Sequence, residues 1–362
     1  MVLFLTLMTS TKRAMMLVGI STSAAALAIP VLAQATINGA GASFPAPFYQ
    51  RAFAGAANKV RVNYQSVGSG AGIRQFVAGT VDFGATDAPI KPGAVSKVSR
   101  GVVQFPAVGG TIAVAYNKPD CSNLRLTQKQ VADIFLGNIK RWEQLKCGKG
   151  TISVAHRSDG SGTTFAFTKS LSAFSPEWKS RVGSGKAVQW PVGVGGKGNS
   201  GVAGLIKNKP GTIGYVNQSY LKGAIKAAAV QNKAGTFVMP SEASGAAALN
   251  NIKLDSMLAG TNPNPAGAKS YPISTLTWIL AYKTGNGSKA PAIRKAMHHL
   301  LGSKAQSEAS GLGYVPLKGT ILSKAKKAVE QIQPSIINNQ IARDSRLKEA
   351  NSPFRCVFYF LE

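Results

Sequence analysis

Three stretches of this chain combine small residues with hydroxyls in the way an anion site requires: Gly39-Ala40-Gly41-Ala42-Ser43-Phe44, Gly68-Ser69-Gly70 and Arg157-Ser158-Asp159-Gly160-Ser161-Gly162-Thr163-Thr164. Each stands just ahead of a segment with helical spacing. A helix N-terminus presents N–H groups without intrahelical partners and the positive end of the helix dipole, so each stretch is suited to hold part of an oxyanion. The hydroxyls of Ser43, Ser69, Ser161 and Thr163 add donors, and Arg157 supplies a planar fork that matches a tetrahedral oxyanion. Taken singly, each stretch also reads as a helix cap or a turn. Their joint occurrence favours an anion site.

The acidic residues refine that expectation. Between residues 36 and 119 the carboxylates are Asp82 and Asp87, both inside VDFGATDAPI. An ionised carboxylate only accepts hydrogen bonds, so beside an anion site it is useful when the anion carries a proton. Phosphate is protonated near neutral pH and sulfate is not, so Asp87 would attract one and repel the other.

Enzyme readings fail on spacing. Gly193-Val194-Gly195-Gly196-Lys197-Gly198 matches a dinucleotide fingerprint literally, but no Asp or Glu occurs from Lys179 to Ser241 to hold a ribose. Gly185-Lys186 and Gly196-Lys197 are followed by Ala187 and Gly198, which a phosphate-binding P-loop does not allow. No GxSxG elbow is present, and nothing places His156 to act on Ser161. Cys121, Cys147 and Cys356 form no CxxC, and the histidines lie far from any cysteine pair, so neither a zinc site nor any other cofactor is expected. Cys121 and Cys147 are either bridged, which loop entropy would make worth about 3–4 kcal/mol, or two free buried thiols.

The elements that must position these residues alternate. KVRVNYQSV, GIRQFVAG, VDFGATD, TIAVAYN, QKQVADIFLG and TISVAHR switch between strand-like and helical patterning, which predicts α/β units around a mostly parallel sheet. Ile73, Phe76 and Val77 fall on one helical face just after Gly68-Ser69-Gly70, and Phe167 and Leu171 do so after Thr163. Residues 255–270 are rich in Pro, Gly and Asn and read as a surface loop, after which YPISTLTWILAYK is expected to re-enter a sheet.

Composition bounds the rest. Lys and Arg number 42 against 14 Asp and Glu, a formal net charge of +28, yet 44% of residues are hydrophobic, which disfavours disorder. The 39 glycines exclude a coiled coil or helical bundle as the main body. Lys12-Arg13, the apolar run 14–32 and Ala33-Gln34-Ala35 read as a secretory signal peptide over 1–35, starting at Met1 or Met8, whose removal leaves +26. Basic stripes interleaved with aromatics are not evident, so no nucleic-acid partner is expected.

GAGASFPAPFYQ, NYQSVGSGAGIRQFVAGTVDFGATDAPI, QFPAVGGTIAVAYN, IFLGNIKRW, HRSDGSGTTFAFTKSL, WPVGVGGKGNSGVA and PGTIGYV together resemble the periplasmic phosphate-binding component of high-affinity phosphate ABC importers, over about residues 36–333. The resemblance implies a type II periplasmic-binding-protein fold, two α/β lobes with a ligand cleft between them. Lobe 1 would comprise 36–112 and 272–333, lobe 2 would comprise 113–271, and 334–362 would be a C-terminal extension of unassigned role. It implies a monomeric, non-enzymatic receptor outside the cytoplasm that delivers inorganic phosphate to the membrane subunits of an ABC permease. Ligand contacts would come from the Ser43 hydroxyl, the Phe44 N–H, Ser69, Asp87 as proton acceptor, Arg157, Ser161, the Gly162 N–H and Thr163. Asp159 would pair with the arginine and orient it. Threonine is commoner where Ser43 stands, and either residue keeps the hydroxyl. Two other readings are an exported phosphatase on the same anion-binding scaffold and a basic surface or adhesion protein.

Overall fold

Strand after strand in this chain ends in a turn that starts a helix. A computed structural model describes residues 35–250 and 252–335. The expected leader over 1–35, the extension over 334–362 and Cys356 lie outside the described residues, apart from Ala35, Pro334 and Ser335.

The chain opens with β1 (Thr36–Gly41), α1 (Ala46–Gly55), β2 (Arg61–Ser66), α2 (Ser69–Val77), β3 (Phe83–Thr86) and the short α3 (Pro92–Val95). The long β4 (Val102–Asn117) and short β5 (Arg125–Leu126) follow. Next comes α4 (Gln128–Leu136), opened by a Thr127–Gln130 capping box and closed by left-handed Gly137. The second α/β run is β6 (Ser153–Arg157), α5 (Gly162–Phe174), α6 (Pro176–Arg181), β7 (Val194–Gly196), α7 (Gly198–Asn208) and β8 (Thr212–Asn217). The short strands β9 (Lys226–Ala227), β10 (Ala229–Gln231) and β11 (Phe237–Val238) lead to α8 (Glu242–Leu249). After the predicted loop, which carries no helix or strand, come β12 (Ser274–Tyr282), α9 (Ala290–Leu300), α10 (Ser303–Gly311) and α11 (Gly319–Val329).

The main sheet has the order β2-β1-β3-β12-β4-β8-β6-β7, with β9 also on β4, while β5, β10 and β11 form a small separate sheet. The outer strands are parallel, β1 with β2 and β3, and β6 with β7 and β8. The expectation of a mostly parallel sheet is corrected at the centre. There β12 runs antiparallel to both β3 and β4, and β4 runs antiparallel to β8. The reason is that TIAVAYN is only the second half of the 16-residue β4, and β4 and β12 are buried almost throughout. A continuous apolar run reveals a central strand but not its direction.

β4 serves two groups of elements. Its residues Val102–Thr111 pair with β12, and Ile112–Asn117 pair with β8. On one side Phe48, Tyr49 and Phe53 of α1 form an aromatic cluster that reaches Phe83 of β3; on the other Phe167 stacks on Tyr215 with centroids 4.2 Å apart. Cys121 and Cys147 are bonded, Cα atoms 5.1 Å apart, which settles the pair as a bridge rather than two thiols.

Candidate functional site

The carboxyl ends of the parallel strands of both groups converge on one place, where ligands gather in open α/β sheets. From β1 the chain passes through Ser43 and Phe44 into α1, and β2 leads through Gly68 into α2, whose first residue is Ser69. Asp87 directly follows β3, while β6 ends at Arg157 ahead of α5, capped by Ser161. All eight residues expected to contact a ligand are buried: Ser43, Phe44, Ser69, Asp87, Arg157, Ser161 and Thr163 are each at most 4% exposed, and Gly162 is buried with them.

Asp159 grips Arg157 with both oxygens, accepting from Nε at 2.7 Å and from Nη2 at 2.5 Å, and its Oδ1 also accepts from the Gly198 N–H at 3.0 Å. The fork is thereby fixed in one plane. Arg157 Nη1 remains buried with no protein partner, so the guanidinium still has donors to offer. Burial acts to raise the Asp159 carboxyl, but the hydrogen bond and charge of Arg157 outweigh it and hold the group below the usual carboxylate range.

Asp87 sits at the opposite extreme. Burial pushes its carboxyl up to about 7, against the hydrogen bond from Thr277, the charge of Arg157 and the hydrogen bond from Thr163, while Asp159 adds to the rise. Thr277 donates to Oδ1 at 2.9 Å and Thr163 to Oδ2 at 3.2 Å. The β12–β4 register shifts between Thr277 and Trp278, a bulge that aims Thr277 at Asp87.

The remaining hydroxyls are held by acceptor contacts. Ser43 Oγ accepts from the N–H and Nδ2 of Asn199 at 2.9 and 3.0 Å, and Ser69 Oγ accepts from the Asp87 N–H at 3.2 Å. Each keeps its own O–H to donate. Ser161 Oγ likewise accepts, from the Thr164 N–H at 2.9 Å, which caps α5 and leaves its O–H to donate. Tyr220 donates to the Ser43 carbonyl at 2.7 Å. Since that carbonyl shares a trans peptide with the Phe44 N–H, the phenol fixes the N–H in the opposite direction.

Glycine keeps the two sides close. A Cβ on Gly162 would lie 2.6 Å from both the Asp87 nitrogen and Ser69 Oγ. Gly68 adopts φ +89° as the cap of α2, where a Cβ would also strike Asp159. The Gly70 N–H donates to the Gly160 carbonyl at 2.7 Å, joining main chain to main chain.

Sequence reasoning missed three contributors. Asn199 bridges Ser43 and Thr163 from the first turn of α7, a fourth helix start at the site. Its signal is present in the sequence, since Gly198-Asn199-Ser200 has the same small and polar character as the other three stretches, at the end of the run weighed above only as a dinucleotide fingerprint. Thr277 is one of several hydroxyls alternating along β12, and Tyr220 follows β8 far along the chain. Neither carries a local signal. Among the described residues no group of His, Cys, Asp or Glu could hold a metal ion.

Together these groups make a pocket of N–H, O–H and guanidinium donors with one acceptor, Asp87, suited to a small oxyanion that bears a proton. Residues 29–297 match the model of a PBP superfamily domain. The chain is 41% identical over 335 residues to a phosphate-binding protein PstS of Pasteurella multocida, covering 87% of this chain and 94% of that one. It is 40% identical over 316 residues to the protein of that name from Haemophilus influenzae, covering 82% and 93%. A solved phosphate-binding protein from Stenotrophomonas maltophilia superposes with TM-score 0.68 at 22% identity, covering 81% of this chain and 94% of that one, a likeness of fold.

Proposed function

The chain belongs to the PstS family of phosphate-binding proteins within the PBP superfamily, and from that premise we propose how its own residues bind phosphate and what they do with it. It is a phosphate receptor with the periplasmic-binding-protein fold. The observation that carries the site assignment is Asp87, a buried acceptor held among donors. A protonated phosphate places its P–OH against Asp87 and its other oxygens against Arg157, the Ser43 and Ser69 hydroxyls, Thr163 and the N–H groups of Phe44 and Gly162. The Ser161 hydroxyl caps α5 as an acceptor and donates its own O–H to a phosphate oxygen, and Asp159 holds the guanidinium in plane. Lobe 1 is 36–112 with 272–333, lobe 2 is 113–271, and the shared β4 supports this division by exchanging partners at Thr111/Ile112.

Binding proceeds without chemistry on the ligand. In support, the hydroxyls beside Asp87 have no histidine or lysine base among their hydrogen-bond partners. The receptor works outside the cytoplasm and hands phosphate to the membrane subunits of an ABC permease. Calorimetric titration of the ligand-stripped protein with phosphate and then sulfate tests the reading. Micromolar or tighter phosphate binding with no sulfate heat is expected, and folded protein that binds neither overturns it.

A further inference from the structure

Next to the buried site lies a separate cavity of about 320 Å³, bounded by the segment after Asp87, by the Ser184–Lys186 loop and by the 255–261 loop. Its charged groups are Lys91, Lys169, Lys186 and Asp255. Lys169 is committed, donating to Thr261 Oγ1 at 2.8 Å and lying 5.5 Å from the Phe165 ring centre. Asp255 is committed too, since its Oδ1 accepts from the N–H groups of Met257 and Ala259 at 2.8 and 2.9 Å. Three ammonium groups thus face one cavity against the single carboxylate of Asp255, and two of them, Lys91 and Lys186, enter no ion pair among the described residues. Burial, and then the charges of Lys91 and Arg74, push the Lys186 ammonium below the usual lysine range. An anion seated between them relieves that repulsion.

The cavity is also coupled to the site. Lys91 follows Asp87 by four residues, and the Lys186 carbonyl accepts from the N–H of Ser161, the cap of α5, at 2.8 Å. We infer that this cavity is a capture site for the phosphate dianion, which Lys91 and Lys186 hold loosely before it enters the buried site. The inference rests on the phosphate reading of that site. A positive cleft of this kind raises the rate of arrival rather than the lifetime of the complex.

Stopped-flow phosphate association at low ionic strength tests it, comparing wild type with Lys91→Gln/Lys186→Gln and with Lys326→Gln/Lys327→Gln, a pair exposed on α11 outside the cavity. The cavity pair is expected to slow association by roughly three- to tenfold, flatten its salt dependence and leave dissociation within about twofold. The α11 pair is expected to change association far less. Equal slowing by both pairs, or slowing by neither, overturns the capture site. Acylation of Lys186, followed by peptide mass spectrometry in an Arg157→Ala chain whose buried site is disabled, reads the cavity alone. Protection by millimolar phosphate supports the inference, and full reactivity overturns it even where the wild type binds phosphate. A wild type that takes up no phosphate sinks the receptor reading instead, while the labelling still judges the cavity.

Discussion

Asp87 carries two opposite demands. Its carboxyl, raised to about 7 from an ordinary 3.8, binds more protons in the native than in the unfolded chain between those values. Its contribution to stability therefore falls as pH climbs from about 4 to about 7. Asp87→Asn removes this dependence, so the ligand-free variant is expected to gain on wild type by on the order of 1–3 kcal/mol between pH 4 and pH 8, measured by denaturant titration at each pH. The same substitution replaces an obligatory acceptor with an amide that also donates. Sulfate should then compete with phosphate at pH 8 in the variant but not in wild type, and unchanged discrimination in a competition titration removes Asp87 from its role. Arg157→Ala should weaken phosphate binding by several kcal/mol, since it also strands the half-buried Asp159 without its partner. At this scale the sequence was informative where a residue sat beside a helix start, as Ser69 and Thr163 do. It was silent where a side chain reaches the site from a distant strand, as Thr277 does.

At the scale of elements, the site depends on four helix starts meeting closely, with glycine where α5 comes up against Asp87 and Ser69. Gly162→Ala leaves α5 intact, because alanine suits a helix, but its methyl meets the Asp87 nitrogen and Ser69 Oγ. Phosphate affinity is expected to fall by at least tenfold with little change in the thermal midpoint, whereas an unaltered affinity shows that the two sides do not close to this contact. The Cys121–Cys147 bridge spans 26 residues and should contribute about 3–4 kcal/mol, seen as a lower midpoint for Cys121→Ser/Cys147→Ser or on adding reductant. The outer strands and their helices were legible because alternation and turn residues repeat every few residues. The direction of the two central strands was not, since direction in a fully buried run is decided by partners elsewhere in the chain, and β12 finds β3 and β4 only after the long loop.

For the whole molecule, ligand binding and stability are linked. Phosphate at about a hundred times its Kd should stabilise the protein by about 2.7 kcal/mol, and a thermal shift that sulfate reproduces equally contradicts a selective receptor. The two sides meet at Gly70 and Gly160 through main-chain atoms that every residue possesses. Surface side chains around that seam are free to drift across generations without altering this main-chain contact. The glycines themselves have no such freedom: any single-base missense change in a glycine codon adds a side chain, and a Cβ at Gly70 would lie 3.0 Å from the Gly160 Cα. The seam is thereby robust to changes in the side chains around it and strained at a few glycine codons, Gly68 and Gly162 most of all, where a Cβ would run into Asp159 Oδ2 and lie 2.6 Å from the Asp87 nitrogen, so losses of uptake arising under phosphate-replete growth should concentrate there out of proportion to their size as a target.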